Sequence, residues 1–396
     1  MTASQPIDDL MNLLRISGLS GEEDGVIAHV LDVQRQLGPP AATVRRDESH
    51  RRSEYGGAAG NLAIHLPRRG GHTGGGRLFL AHLDKVALAR EAKPRLVPGA
   101  GGEAGRIVND NHAAALGGDD RTGVAVLLHI LRTLAAGNQP HPPVTLVFTV
   151  QEEVGLIGAR ELDVAALAPE RPALGFGFDS GNPAHLIHAI TGAERFFIEI
   201  RGRAAHAGLN PQDGVSCAVV FAKALADLAG SGWHGRIRRP EGCGTANIGV
   251  LQGGVMTNTV MDRLAVRGEA RSHDAAFRAR TVAAYRAAFE RAAAGTRNTA
   301  GESAHIEWTA GPSYEAFALP ETAPVVQLAK DCLRGVGLEP VLEKNDGGMD
   351  ANWLNAHGIP TVMFGCGQRS VHTTAEWIDV ADFLTACRLA ERLATE

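Results

Sequence analysis

Short apolar runs, separated by segments with helical periodicity, make up both ends of the chain. The runs have the length and composition of strands that are buried on both faces. They lie at residues 61–66, 77–81, 144–150, 174–178 and 361–364. The clearest helical segments are residues 122–136 and 324–336. Because strands alternate with helices and are apolar almost throughout, we predict an α/β sheet that is covered on both faces.

The middle of the chain has a different pattern. Strand-like alternation and helical periodicity follow each other there in the order β-α-β-β-α-β. These segments are residues 194–202, 216–228, 245–254, 262–272, 274–294 and 304–309. That order is typical of a ferredoxin-like unit, which is complete in itself. We therefore predict an inserted α+β domain at residues 189–311 and an α/β domain formed by residues 1–188 and 312–396.

The composition is that of an ordinary globular protein of 396 residues, with 44% hydrophobic and 21% charged residues. The net charge of −5 argues against nucleic acid as a main partner. The first residues lack a basic region followed by an apolar one, so we expect no secretory signal. Apolar runs stay well short of the roughly 18 residues that a membrane helix needs. The five cysteines are scattered and form no CxxC pair, which predicts reduced thiols and a cytoplasmic location.

Side chains of the kind that bind metal ions follow four of the predicted strands. They are His82 and Asp84 after the first of these strands, Glu152 and Glu153 after the second, Asp179 after the third, and His372 in the loop beyond the fourth. A further carboxylate, Asp119, stands just before the helix that begins at Thr122. Sites in an open α/β sheet form beyond the carboxyl ends of the strands, so we expect these side chains to meet at one edge.

The chemistry of these side chains predicts a hydrolytic metal centre. The set contains imidazoles and carboxylates but no thiolate, and such ligands suit Zn²⁺, Mn²⁺ or Co²⁺. Three ligand carboxylates and a bridging hydroxide would bring two divalent ions close to electrical neutrality. A dinuclear centre of this kind lowers the pKa of the bridging water and polarises the scissile carbonyl group. One more carboxylate, outside the ligand set, is needed to take the proton from that water.

Almost from end to end, the chain resembles the M20 metallopeptidases, and most closely their peptidase T-like branch. The segments that carry the resemblance are AHLDKV, LGGDDRTGVAV, FTVQEEVGLIGAR, FDSG, RGRAAHAGLNPQDGVSCA, TANIGVLQGGVMTNTV, GEARS, DGGMDANWLNAHGIPTV and VHTTAEWI. The resemblance implies a catalytic α/β domain of the zinc-exopeptidase type, with an inserted ferredoxin-like domain that serves as a lid and for dimerisation. It also implies a cofactor of two Zn²⁺ ions, with Co²⁺ or Mn²⁺ as alternatives.

The matched positions imply a role for each metal ligand. By resemblance, His82 and Asp179 bind one ion, and Glu153 and His372 bind the other. Asp119, the first aspartate of the DD pair, bridges both ions.

Other matched positions imply roles in catalysis and substrate binding. Glu152 resembles the general base that later returns the proton, and Asp84 resembles the residue that orients a ligand imidazole. His206 resembles the lid histidine that reaches the partner subunit's site and stabilises the oxyanion, which implies a homodimer. Asn258 and Arg271 resemble lid residues that hold the substrate backbone and its terminal carboxylate.

Three positions depart from the family pattern. Lys85 stands where the family usually has Thr or Ser, and Arg121 replaces the usual Lys after the DD pair. Met349 replaces a common small residue in a loop that resembles the family's GGxDAN loop. A larger apolar side chain there would narrow the substrate pocket or make it less polar, so the identity of the substrate stays open.

The resulting hypothesis is a dizinc exopeptidase that acts on short peptides, of the tripeptide aminopeptidase type. The alternative is an M20-type carboxypeptidase or an N-acyl-amino-acid amidohydrolase, because these activities share the same metal ligands. A non-catalytic protein on this fold would be expected to have lost a ligand or the base, and this chain keeps all of them. We expect a short peptide or an N-acyl amino acid as the substrate, a homodimer formed through the lid, and neither nucleic acid nor membrane as a partner.

Overall fold

The computed structural model of the protein describes residues 4–39, 41–99, 105–137 and 139–396. The helices are α1 (Gln5–Arg15), α2 (Asp24–Leu37), α3 (Gly118–Ala136), α4 (Ile157–Arg160), α5 (Val164–Leu167), α6 (Cys217–Gly230), α7 (Ala275–Ala294), α8 (Pro324–Gly335), α9 (Ala351–Ala356) and α10 (Val380–Thr395). The strands are β1 (Thr43–Arg46), β2 (Leu62–Leu66), β3 (Arg77–His82), β4 (Pro94–Val97), β5 (Arg106–Asn109), β6 (Val144–Thr149), β7 (Leu174–Phe178), β8 (His185–Ile190), β9 (Gly192–Arg201), β10 (Gly235–Arg239), β11 (Gly242–Gly253), β12 (Arg263–Ser272), β13 (His305–Tyr314), β14 (Phe317–Ala318), β15 (Val341–Asn345), β16 (Thr361–Phe364), β17 (Gln368–Arg369) and β18 (Trp377–Asp379). Within the described ranges, no helix combines the length and the apolar character that crossing a membrane requires.

The chain divides into two compact units. The first contains Met1–Ala189, Ala318–Lys344 and Met349–Glu396, and the second contains Ile190–Phe317 and Asn345–Gly348. The second unit therefore ends at residue 317, whereas the sequence placed the end of the insertion at residue 311. The difference arises because Gly311 and Pro312 belong to the edge strand β13, which continues to Tyr314. An edge strand tolerates proline because one side of it needs no backbone donor.

The first unit is built on a mixed sheet with the strand order β1-β2-β6-β3-β7-β16-β8-β14, and β15 also pairs with β8. Its centre, β6-β3-β7-β16, is parallel. Alternate residues of β3 enter different hydrophobic clusters: Phe79 and Ala81 pack with residues of α1, α3 and α10, while Leu78 and Leu80 pack with Leu354 of α9. The predicted α/β sheet, covered on both faces, is confirmed.

The second unit is an antiparallel sheet with the strand order β10-β11-β12-β9-β13. Its buried face, which includes Phe196 and Ile198, packs against α6 and α7 through residues such as Tyr285 and Phe289. The sequence predicted four strands here, and β10 was missed. The reason is that the β10 sequence GRIRR offers a single apolar side chain, Ile237, so it shows no alternation.

Candidate metal centre

The four parallel strands at the centre of the first sheet deliver the predicted ligands to one edge. His82 is the last residue of β3, and Asp179 follows β7 directly. Glu153 follows β6 after a short turn, and His372 lies in the segment after β16. Because β6, β3, β7 and β16 are neighbours and run in the same direction, their carboxyl ends share this edge.

The first group of potential ligands consists of His82, Asp119 and Asp179, whose ligand atoms all lie within 4.8 Å of one another. Nε2 of His82 is 2.9 Å from Oδ1 of Asp119 and 3.9 Å from Oδ2 of Asp179. The group is almost enclosed, since the His82 side chain is 2% exposed.

The second group consists of Asp119, Glu153 and His372, again with ligand atoms within 4.8 Å. Nε2 of His372 is 3.0 Å from Oε2 of Glu153 and 3.2 Å from Oδ2 of Asp119. The two oxygens of Asp119 therefore face different histidines. Two groups of imidazole and carboxylate donors that share one carboxylate fit a pair of divalent cations.

Without metal ions, the surroundings of the site favour the protonated forms of its two histidines and of one carboxyl group. Hydrogen bonds to Asp119 and Glu153 raise the pKa of His372 to about 10. Burial acts in the opposite direction on His82, but hydrogen bonds to Asp119 and Asp84 raise the pKa of His82 well above its ordinary value. Burial raises the pKa of Asp179 well above its ordinary value, and the charge of Asp119 adds to the shift. A metal ion that binds here has to displace protons.

Asp119 lies in a turn that precedes the regular part of α3. The backbone of Asp119 and Asp120 is not helical, and the peptide bond between them is cis. Asp120, and not Asp119, caps the helix, because its Oδ1 accepts a hydrogen bond of 3.0 Å from the backbone N–H of Gly123. Its Oδ2 accepts from the backbone N–H of His82 at 3.2 Å, which ties this turn to the end of β3.

Asp84 connects a ligand histidine with the turn that carries two glutamates. It is fully buried, and Nδ1 of His82 lies 3.1 Å from its backbone oxygen and 3.4 Å from its Oδ1. Its carboxylate accepts from the backbone N–H of Glu152 at 2.9 Å and of Glu153 at 3.2 Å. Since Nδ1 of His82 is engaged in this way, Nε2 is the nitrogen left to bind a metal ion.

Glu152 lies beside the two groups without belonging to either of those found among the described residues. It is 9% exposed and follows Gln151, whose backbone is left-handed with a φ of 55°. Burial raises the pKa of Glu152 well above its ordinary value, and although the charge of His82 opposes the shift, that of Asp350 reinforces it. A carboxylate beside a candidate metal site is suited to take up and return a proton.

Three residues that the sequence analysis missed support this turn and the start of α3. Oγ of Ser20 donates to Asp84 at 2.6 Å. Buried Glu23 accepts from the backbone N–H of Gln151 at 3.1 Å, and burial raises its pKa to about 7. Nε2 of Gln368 donates to Asp120 at 3.0 Å. The short polar sequence SGLSGEE ahead of α2 was the available signal for the first two.

The three residues that were expected to act on the substrate from the lid, His206, Asn258 and Arg271, lie in the second unit. His206 is exposed, and its Nδ1 accepts hydrogen bonds from the backbone N–H groups of Gly208 and Leu209 at 3.1 and 3.2 Å. Its loop is joined to that of Asn258, whose backbone oxygen accepts from Ala207. The structure therefore brings the loops of His206 and Asn258 together.

Arg271 lies on β12 of the same unit and is half-buried. It donates to both carboxylate oxygens of Glu269, at 2.8 and 3.3 Å. A substrate carboxylate that binds to Arg271 would have to share it with this neighbour.

Histidines and carboxylates grouped at the carboxyl ends of the parallel central strands are the arrangement expected of a metallopeptidase-type hydrolase. The chain belongs to peptidase family M20/M25/M40, whose sequence model matches residues 78–396. The predicted membership of the M20 family and the predicted enzyme class are confirmed.

Proteins that are similar over the full length include two with solved structures. Aminopeptidase PepT from Bacillus cereus ATCC 10987 is 30% identical with a TM-score of 0.81, and 100% of this chain and 98% of that chain are covered. A tripeptidase from Staphylococcus aureus subsp. aureus Mu50 is 28% identical with a TM-score of 0.85 at the same coverage. The uncharacterised protein YqjE of Bacillus subtilis (strain 168) is 29% identical over 391 residues, which are 98% of this chain and 97% of the relative.

We predict that metal binding to the metal-free protein at pH 7 releases at least about two protons per chain, one from each ligand imidazole. Because the pKa values of His82 and His372 are raised above the ordinary value, protons compete with the metal through the neutral range. Affinity should therefore rise from pH 6 to pH 8. Calorimetric titration with Zn²⁺ in buffers of different ionisation enthalpy measures the release. His372→Gln should release about one proton fewer, and a wild-type value near zero would contradict the charge state described here.

Proposed function

We propose that the protein is a dinuclear zinc exopeptidase that hydrolyses short peptides, a tripeptide aminopeptidase of the peptidase T type. The observation that carries the proposal is the position of Asp119, whose two oxygens lie 2.9 and 3.2 Å from histidines of different ligand groups. The full-length similarity to a solved aminopeptidase and a solved tripeptidase supports the substrate class.

The five proposed ligands would hold two divalent ions in the two groups that share Asp119. When bound, such ions lower the pKa of a water molecule and polarise the scissile carbonyl group. Glu152 would take a proton from the attacking water and deliver it to the nitrogen of the leaving amine. Asp84 would keep the His82 ring and the backbone of residues 152 and 153 in a fixed relation, so that the base stays next to the ligands.

His206 is the proposed oxyanion donor. Its Nδ1 accepts two backbone N–H groups, so the neutral ring carries its proton on Nε2, the nitrogen that is available to donate. An N–H donor of this kind stabilises the negative charge that develops on the carbonyl oxygen of the substrate. We propose that it acts in the site of the partner subunit of a homodimer.

The surface of the second unit supports a dimer. β10 pairs with β11 only along residues 242–246 of β11. Beyond them, Val250 and Leu251 are 47% and 50% exposed, and Val255 and Met256 in the following loop are 96% and 64% exposed. Neighbouring apolar side chains on an exposed strand are typical of a surface that a protein partner covers, and we propose a second copy of the chain. A cytoplasmic location is consistent with five free cysteines.

The substrate class is tested with one tripeptide in three forms: free, N-acylated and C-amidated. We expect release of the N-terminal residue from the free peptide and none from the N-acylated form, because an aminopeptidase requires a free α-amino group. The products are identified by mass spectrometry. Release of the C-terminal residue, or hydrolysis of the N-acyl bond alone, would instead identify a carboxypeptidase or an N-acyl-amino-acid amidohydrolase.

Glu152→Gln should lower kcat by roughly 10²–10⁴-fold while the protein keeps its metal ions, because a positioned general base contributes that much. Turnover and metal content by native mass spectrometry are measured on the same sample. Glu339→Gln, at a position where the side chain is 82% exposed, is the matched control and should behave as the wild type. Near-normal turnover by a fully loaded Glu152→Gln protein would exclude Glu152 as the base.

Subunit exchange tests His206. His206→Ala and Glu152→Gln homodimers should both be nearly inactive, since one oxyanion donor is worth about 3 kcal/mol. In a mixed dimer, one site combines an intact Glu152 with the intact His206 of the other chain. After free exchange of equal amounts of the two variants, about half of the dimers are mixed, and each mixed dimer has one working site. About a quarter of the wild-type sites should therefore be restored. Verified mixed dimers that show only the mean activity of the two parents would place His206 outside the partner's site, as would a monomeric protein.

A further inference from the structure

Glu376 is a buried carboxylate that belongs to neither ligand group, although it lies four residues after His372. It is 3% exposed. Its Oε2 accepts from the backbone N–H of Gly117 at 2.7 Å, and its Oε1 accepts from those of Gly118 and Asp119 at 2.8 and 3.2 Å. Three consecutive N–H groups of the Asp119 turn thus converge on one carboxylate.

The turn is closely enclosed. The backbone of Gly117 is left-handed with a φ of 75°, and a Cβ built on it would lie 2.2 Å from Cδ of Lys85. A Cβ on Gly118 would lie 3.0 Å from the Ile378 side chain and 3.2 Å from Oε1 of Glu376. Buried N–H groups require acceptors, and here a single side chain supplies them all. The position of the Asp119 backbone therefore depends on Glu376.

Glu376 also belongs to the segment that carries a ligand. Its backbone N–H donates to the backbone oxygen of Thr373 at 3.2 Å, so His372 and Glu376 lie on one short turn. A carboxylate on this turn that binds the backbone of Asp119 joins the two ligand-bearing segments directly. The ligand atoms on these two segments, Nε2 of His372 and Oδ2 of Asp119, are 3.2 Å apart.

We propose that Glu376 is a positioning residue that sets the separation of Asp119 and His372, and with it the geometry of the shared ligand set. The inference rests on the proposed metal centre. It states that Glu376, which is not itself a ligand, holds the bridging ligand Asp119 in position. The three N–H groups donate to both oxygens of the side chain, so both oxygens must be acceptors. A carboxylate meets this requirement, and its negative charge strengthens the hydrogen bonds. In a glutamine side chain, one of these oxygens becomes an NH₂ group that confronts a backbone N–H.

The test uses Co²⁺, whose visible absorption reports the geometry of its ligands. Stepwise binding to metal-free wild type and to Glu376→Gln is followed by calorimetry and by absorption. We expect Co²⁺ affinity to fall by about 10–100-fold in the variant, as is typical when a residue that orients metal ligands is changed, and the absorption spectrum to change. Gly118→Ala perturbs the same contact from the backbone and should shift affinity and spectrum in the same direction.

Asp9→Asn is the matched control. Asp9 is also 3% exposed and pairs with Arg132 at 2.7 Å, 13 residues further along α3 than Asp119. Its loss should lower the melting temperature of the metal-free protein without changing Co²⁺ affinity or absorption.

Wild-type affinities and spectra in Glu376→Gln, with only a lower melting temperature, would overturn the proposal and leave Glu376 a structural residue. If Glu376→Gln does not fold, the Gly118→Ala result decides by the same criterion. A wild-type protein that binds no Co²⁺, Zn²⁺ or Mn²⁺ would instead overturn the metal centre itself, which distinguishes the two failures.

Discussion

One carboxylate, Asp119, has to face two imidazoles at the same time, and the candidate site is arranged around this requirement. Its oxygens lie 2.9 Å from His82 and 3.2 Å from His372. One histidine ends a central strand and the other lies in a loop near the end of the chain, so local sequence alone does not relate their positions. The backbone of the Asp119 turn is therefore held from both sides, by Asp120 on the N–H of His82 and by Glu376 on the turn itself.

Two basic side chains, Arg121 and Lys85, are buried as deeply as the acids around the site. Arg121 is fully enclosed and donates to the backbone oxygens of Leu83 and Gly18. Lys85 is 1% exposed, and burial, reinforced by the charge of Arg121, lowers its pKa to about 7, although Glu376 opposes the shift. Isolated buried charges are costly, so these side chains and the acids stabilise each other. Both positions depart from the family pattern, and both side chains are buried beside the segment that follows His82.

The grouping of the candidate ligands at one edge was predictable because it depends on sheet topology, and topology leaves a strong pattern in the sequence. His82 and Asp179 follow continuous apolar runs, and parallel strands bring such positions to one edge. The supporting residues were not predictable in this way. Glu376 binds an N–H group 257 residues away and Ser20 a carboxylate 64 residues away, and no periodicity records such contacts. Strand β10 was missed for a different reason: Ile237 is its only apolar residue, so its sequence shows no alternation.

The proposed metal centre and the proposed contacts with the substrate and its oxyanion belong to different parts of the chain. The proposed ligands and base lie in the first unit, at strand ends and in the adjoining segments, whereas His206, Asn258 and Arg271 lie in the second. Two of these are on loops, which vary more readily than the strands of a packed sheet. Arg271 already binds Glu269, so its availability to a carboxylate depends on that neighbour. In the proposed enzyme, the strand ends of the first unit would therefore supply the metal chemistry, while the contacts with the oxyanion and the substrate would come from the second unit.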